Sequence, residues 1–336
     1  MGTFYDIKKM KIGVIGLGSM GRRRIRLLLD LVNPLNIFGY DISRERRIKV
    51  QREYGIQLVD SIDEIIQNNV IDSVFICSSP MSHSKIAIEC LKNRKNIFSE
   101  LNLIKDGYKE IIELSTQNNK IAFLSSTFLY RKEIQWIKKR IDRKDKYQYN
   151  YQVGQYLPDW HPWESYKDFF VHDKKTNGLR EIMAIEFPWI IDIFGKIKVQ
   201  KNLKTKISDL EIDYPDSVNI IIEHENGSLG NINFNIIKRK AERKLEIMND
   251  LILISWNGTP DTLQYYDIKD KSFNKIKLYK DIIKDSNKPD FIVENAYKDE
   301  VITFLNSVID GKNYGLHDYK RDLYILDLID EIETMG

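Results

Sequence analysis

Lys11-Ile-Gly-Val-Ile-Gly16-Leu-Gly18-Ser-Met-Gly21 runs directly into Arg22-Arg-Arg-Ile-Arg-Leu-Leu-Leu-Asp30. A short apolar run, a turn with three glycines and a stretch with helical apolar spacing read together as strand, turn and helix. Glycines alone are weak evidence, but a GxGxxG that leaves a strand and opens a helix aims backbone N–H groups and the positive helix end at a diphosphate. Gly16 permits the tight turn, Gly18 lets phosphate approach the backbone, and Gly21 lets helix and strand pack closely, with Ser19 and Met20 lying between them. Asp41 ends the next apolar run, Leu35–Tyr40, where a carboxylate can accept hydrogen bonds from both adenosine ribose hydroxyls. It would repel a 2′-phosphate, so NAD is expected rather than NADP, although Arg44, Arg46 and Arg47 follow closely. Of the arginines at 22, 23, 24 and 26, one or two could screen the diphosphate, and the rest read as a solvated helix face.

Outward from this turn the alternation continues. Strands are expected at Leu58-Val59, Ser73–Cys77, Asn96–Ser99 and Ile121–Leu124, with helices at Ile62–Asn68, Ser82–Asn93 and Gly107–Gln117. Repeated β–α units with short connections predict a doubly wound parallel sheet covered on both faces. After Ser125 a helix at Lys132–Ile141 precedes longer β-like segments at Tyr147–Tyr156, Val218–His224, Ser228–Ile236, Lys244–Met248 and Leu251–Ser255. Asn226-Gly227 reads as a hairpin turn between two of them. The expected fold class is therefore α/β: an N-terminal Rossmann sheet over 1–124, then an α/β domain over 125–336 with a large, mostly antiparallel open sheet. Helices at Asn295–Asp310 and Tyr319–Glu333 are expected to pack back toward the first domain.

Composition agrees. The 336 residues suffice for about two domains. With 42% hydrophobic and 30% charged residues and a net charge of +3, nothing in the bulk charge suggests a nucleic-acid partner. No apolar run approaches the ~18 residues of a membrane span and no secretory signal is visible, so a cytoplasmic protein is expected. The two cysteines, Cys77 and Cys90, lack disulfide density and metal spacing and read as buried thiols; no metal is expected.

Three segments resemble the glucose–fructose oxidoreductase and inositol dehydrogenase family, Gfo/Idh/MocA. They are the glycine turn ending in Arg22-Arg23, the stretch Asp72-Ser-Val-Phe-Ile-Cys-Ser-Ser-Pro80-Met-Ser-His83 continuing to Glu100, and Tyr297-Lys-Asp-Glu300-Val-Ile-Thr-Phe304-Leu-Asn-Ser-Val-Ile-Asp-Gly311. The resemblance implies that Ser78, Pro80 and His83 lie on the nicotinamide side and that Glu100 is the Glu of a Glu-Lys-Pro motif. It also implies homo-oligomerisation, as dimer or tetramer, through the open sheet. Here the motif reads Glu100-Leu101-Asn102, so the lysine that usually touches substrate is missing. The family's Asp and His on a helix after a Gly-Gly turn should fall within Asn177–Trp189, where no histidine occurs.

A base is still needed where a carbinol gives up hydride. Glu186, Glu181, His161 and His172 are the candidates, and Glu186, His161 and Glu100 are taken as the catalytic set. The aromatic run Tyr156, Trp160, His161, Trp163 and Tyr166 suits a loop that stacks sugar faces or one that packs against other protein. Tyr130, Tyr156, Trp160, His161, Trp163 and His172 are expected to bind substrate. The leading reading is an NAD-dependent oxidoreductase of a sugar or nucleotide-activated sugar, serving surface glycan synthesis. The alternatives are a non-catalytic dinucleotide- or sugar-binding protein, and a lyase or hydrolase that cycles tightly bound NAD internally.

Overall fold

The computed structural model describes residues 2–161, 164–283 and 292–334. Two compact units emerge, Met1–Thr127 with Tyr297–Tyr324, and Phe128–Ala296 with Ile325–Gly336.

The first unit opens with helix α1 (Gly2–Lys9) and then alternates β1 (Ile12–Ile15), α2 (Ser19–Leu29), β2 (Ile37–Tyr40), α3 (Arg44–Tyr54), β3 (Gln57–Leu58), α4 (Ile62–Ile66), β4 (Ser73–Ile76), α5 (Pro80–Lys92), β5 (Asn96–Ser99), α6 (Tyr108–Gln117) and β6 (Ala122–Leu124). The six strands are parallel in the order β3-β2-β1-β4-β5-β6. The order reverses between β1 and β4, and the crevice outside their carboxyl ends is where open α/β sheets bind ligands. Register builds the core. Phe75, Phe98 and Phe123 are successive partners across β4, β5 and β6, so their rings stack at 4.7 and 5.1 Å. Phe304, from the helix Glu294–Asp310, meets all three edge-on.

The second unit carries α7 (Lys132–Arg140), β7 (Gln148–Gly154), α8 (Gly178–Phe194), β8 (Ile197–Thr205), β9 (Ser217–His224), β10 (Leu229–Asn235), β11 (Glu242–Met248), β12 (Leu253–Trp256), β13 (Gln264–Asp267) and β14 (Ser272–Lys275). Its eight strands run β14-β13-β12-β11-β7-β10-β9-β8, antiparallel except where β10 meets β7. The Asn226-Gly227 hairpin joins β9 to β10, with Gly227 at φ +83°. Helix α8 is apolar almost all round, as a buried helix must be, and Phe194 stacks on Tyr149 of β7 at 4.4 Å. The chain ends in helices α9 (Glu294–Asp310) and α10 (Tyr319–Thr334).

The edge strands escaped the sequence reading. β8 reads Ile-Lys-Val-Gln-Lys-Asn-Leu-Lys-Thr, the lysine-rich texture that protects a sheet edge but obscures alternation. At the other edge β14 is exposed throughout, so no apolar face marks it. Among the described residues no helix is long and apolar enough to cross a membrane.

Candidate functional site

The glycine turn is packed tightly on one side and open on the other. Gly16 sits at φ +91°, and a Cβ there would lie 2.5 Å from the Ser78 backbone nitrogen. A Cβ on Gly21 would lie 1.9 Å from the Gly16 carbonyl oxygen. At Gly18, by contrast, a Cβ would meet nothing within 4 Å. Gly18 is also the N-cap of α2, and no side chain caps that helix start. This open cradle at a helix N-terminus fits the diphosphate of a dinucleotide. Asp41 is buried at the end of β2: its Oδ2 accepts from the Leu17 N–H at 2.8 Å and its Oδ1 from the Ser43 N–H at 2.8 Å. The residue expected to hold ribose therefore also ties the glycine turn in place, and a carboxylate with about four lone-pair directions retains acceptor capacity. Arg46 lies 3.6 Å from Oδ2, Arg47 donates to the Asp41 carbonyl at 2.8 Å, and Arg44 is exposed at the start of α3. Ser19 and Met20 form the first turn of α2, with Met20 Sδ accepting from Arg23 Nη1 at 3.1 Å.

After β4 the chain turns through Ser78 and Ser79 into α5, which Pro80 opens. His83, buried on the first turns of α5, places Nε2 2.8 Å from the Ser78 carbonyl oxygen and Nδ1 2.7 Å from Asn102 Oδ1. Burial lowers the His83 pKa below its ordinary value, against the pull of the Ser78 and Asn102 oxygens. Glu100 is gripped by Arg24, with Nε at 2.5 Å from Oε1 and Nη2 at 3.2 Å from Oε2. The same guanidinium reaches Glu300 at 2.8 Å and lies over the Phe98 ring. Glu300 also accepts from the Ser126 N–H at 2.7 Å and the Thr127 hydroxyl at 3.0 Å. Arg24 is thus no solvated residue. It is wholly buried and anchors two carboxylates from different elements, Glu100 after β5 and Glu300 on the helix Glu294–Asp310.

In the second unit the two glutamates of α8 have opposite surroundings. Glu186 is fully buried, and its carboxylate accepts from Tyr151 Oη at 2.7 Å, Trp189 Nε1 at 2.8 Å and Arg243 Nε at 2.9 Å. Its carboxyl oxygens are thus occupied by three donors from the same unit. Glu181, in the first turn of α8, has Oε2 shut away from solvent with no hydrogen-bond partner among the described residues, and burial pushes its carboxyl up to about 7. Trp160 Nε1 is likewise buried with no partner among the described residues, and its ring edge approaches Gly178 at the start of the same helix. His161 Nδ1 lies 2.6 Å from Glu164 Oε1, a pair that fixes the tautomer with the proton on Nδ1. His172 Nε2 donates to the Glu211 carbonyl at 2.9 Å, a structural engagement. Tyr156 lies under the Arg239 guanidinium at 3.6 Å, and Tyr130 ends the short turn Thr127–Tyr130, half-buried. Trp163 lies outside the described residues.

The partners of His161 and His83, Glu164 and Asn102, were not among the residues singled out from the sequence. The spacing His161/Glu164 was available as a signal. The stranding of Glu181 was not, since it depends on what fails to pack against it.

Residues 10–124 match the sequence profile of the Gfo/Idh/MocA family, described as an oxidoreductase family with an NAD-binding Rossmann fold. Among characterised relatives, the chain is 26% identical over 136 residues to myo-inositol 2-dehydrogenase of Thermotoga maritima, covering 40% of this chain and 41% of that protein. It is 27% identical over 139 residues to inositol 2-dehydrogenase/D-chiro-inositol 3-dehydrogenase of Lacticaseibacillus casei, covering 40% of each. The matched segment therefore spans about 40% of the length of these relatives. Among solved structures, levoglucosan dehydrogenase in complex with NADH and levoglucosan superposes with a TM-score of 0.78 at 16% identity, covering 96% of this chain and 97% of that one. UDP-N-acetylglucosamine 3-dehydrogenase of Acidithiobacillus ferrooxidans superposes with a TM-score of 0.75 at 15% identity, covering 96% of both. These structural likenesses extend the shared fold over nearly the whole chain. Residues 10–124 thus match the Gfo/Idh/MocA oxidoreductase family with its NAD-binding Rossmann fold, and the remainder of the chain shares the fold of the solved structures.

Proposed function

We propose that this protein is an NAD-dependent oxidoreductase of a sugar, cyclitol or nucleotide-activated sugar, with Glu181 as its proton acceptor. The observation that carries the reading is the open cradle at Gly18, set at the uncapped start of α2 in a segment of an NAD-binding family. The Gly16–Gly21 amides would face the diphosphate and Asp41 the adenosine ribose. When bound, NAD supplies the hydride acceptor or donor at its nicotinamide. Taken by itself, the second unit carries groups suited to proton chemistry. Glu181, with a pKa of about 7, is half ionised near neutrality and can take a hydroxyl proton, the range in which general bases work best. Trp160 N–H can donate to a neighbouring oxygen of the substrate, and the His161–Glu164 pair offers a second proton carrier. Polyol and sugar dehydrogenases among the relatives and structural neighbours support this substrate class. A role in building a surface glycan follows if nucleotide-activated sugars prove to be the substrates. Assembly through the outer face of the eight-stranded sheet, where Leu203, Ile221 and Leu229 are exposed, belongs to the same reading, and light scattering of the purified protein checks it.

The test is calorimetry with NADH followed by a screen of inositols, free sugars and nucleotide sugars, read as NADH absorbance. The expected result is NADH binding and turnover of at least one polyhydroxylated substrate. Protein that binds neither NAD nor NADH overturns the reading.

A further inference from the structure

We infer that Asn102 is a positioning residue: its amide fixes the protonation of His83, and His83 in turn holds the Ser78 carbonyl and the turn that walls the dinucleotide crevice. The consequence for cofactor binding rests on the NAD reading above; the pairing itself does not.

The argument begins at the Ser78 carbonyl, which can only accept a hydrogen bond. Nε2 of His83, 2.8 Å away, must therefore carry a proton. His83 is buried, and burial disfavours the doubly protonated ring. Nδ1 is then an acceptor and needs a donor. The group facing it is the Asn102 amide, with Oδ1 at 2.7 Å and with Nδ2 on the side of the Tyr108 hydroxyl. A half-turn of the amide exchanges oxygen and nitrogen without changing its shape. It puts an N–H on Nδ1 and turns Oδ1 toward Tyr108, whose hydroxyl is then shared between Oδ1 and Asp322. The gain is a donor in place of an oxygen opposed to Nδ1, a buried mismatch that would otherwise carry its full desolvation penalty.

What the pair holds explains its importance. Ser78 N is the atom that a Cβ on Gly16 would strike, so the Ser78 turn is the surface against which the glycine turn packs. Ser82 Oγ braces the same turn, donating to the Ser79 carbonyl at 2.8 Å and sharing a 2.7 Å hydrogen bond with Ser78 Oγ. Asn102 stands where the resembling motif has proline, whose side chain could neither donate to nor accept from His83. The departure from that motif thus brings with it a fixed histidine.

The experiment uses protein labelled with 15N-histidine, whose ring spectra report which nitrogens carry protons, together with calorimetric NADH affinity. The wild type is expected to show a single proton on Nε2 of His83 at pH 7. Asn102→Asp keeps the shape but cannot donate, so His83 is expected to become doubly protonated. Asn102→Ala removes the partner, and the NADH dissociation constant is expected to rise roughly tenfold, the worth of one lost hydrogen bond. A wild-type ring that is doubly protonated or carries its proton on Nδ1 overturns the inference, as does an Asn102→Ala protein that binds NADH like the wild type. If the wild type binds no NADH at all, the functional reading falls, and the ring spectra still decide the pairing.

Discussion

The turn from β1 into α2 and the stretch from Tyr156 to Glu181 differ in how completely their polar atoms are used. Around the glycine turn nearly every group has a fixed partner: the Gly16 N–H donates to the Tyr40 carbonyl at 2.8 Å, the Leu17 N–H to Asp41, and the neighbouring Ser78 turn is held by His83. The space at Gly18 is left open. Between Tyr156 and Glu181, Trp160 Nε1 and Glu181 Oε2 are buried with no partner among the described residues. Each such atom costs about 1–3 kcal/mol, and a ligand group is one thing that can repay it. A backbone cradle suits a ligand whose diphosphate is constant, and stranded side chains suit one whose hydroxyls must be chosen.

The sharpest way to break this contrast is Glu181→Gln, which should leave NADH affinity unchanged and lower turnover by roughly 10²–10⁴-fold. A rate profile adds the sign. Glu181 accepts a proton only when ionised, so activity should climb with pH up to about 7 and level off above it. Stability should run the other way. The folded-state pKa is raised from 4.5 to about 7, so between these values the native protein holds a proton that the unfolded chain has lost, and stability falls as pH rises through that window. Denaturant unfolding should show Glu181→Gln abolishing that fall and gaining on the wild type at pH 8. A variant that keeps full turnover returns the base to another residue.

Next in size is Gly16→Ala, which combines a disfavoured φ with a 2.5 Å approach to Ser78 N. NADH affinity should drop by at least roughly 100-fold, about 3 kcal/mol, while an Ala at Gly18, where space is open, should impair phosphate approach alone and leave the melting temperature near wild type. Glu186→Gln probes the satisfied glutamate. Weakening a buried carboxylate with three donors should cost about 3 kcal/mol of stability by urea unfolding, with little change in the shape of the pH–rate profile. The smallest effect is expected from Trp160→Phe, which keeps one aromatic ring and gives up the pyrrole ring with its N–H. The lost packing and the removed unpartnered donor oppose each other, so stability should shift by less than about 1 kcal/mol, whereas the substrate KM should rise about fivefold.

The two regions were also unequally legible. Spacing sufficed for the strand, glycine turn and helix that carry Gly16, Gly18 and Gly21, because such a turn is a local object whose consequences lie within a few residues of chain. Glu186 and Glu181 could not be ranked that way. Both look alike on one helix, and what separates them is Tyr151 from β7 and Arg243 from β11, which reach Glu186 but not Glu181. Arg24 looked like one more exposed arginine until Glu100 and Glu300, far off in sequence, proved to bury it.

Alternating apolar runs and turn glycines therefore determined the doubly wound first unit and the hairpin in the second sheet, since each is written in short-range periodicity. Which acids are saturated and which is stranded, which arginine is buried, and why an asparagine after Glu100 matters were decided only by tertiary structure. Hydrogen-bond satisfaction is a property of atoms brought together from distant parts of the chain, and no local spacing encodes it.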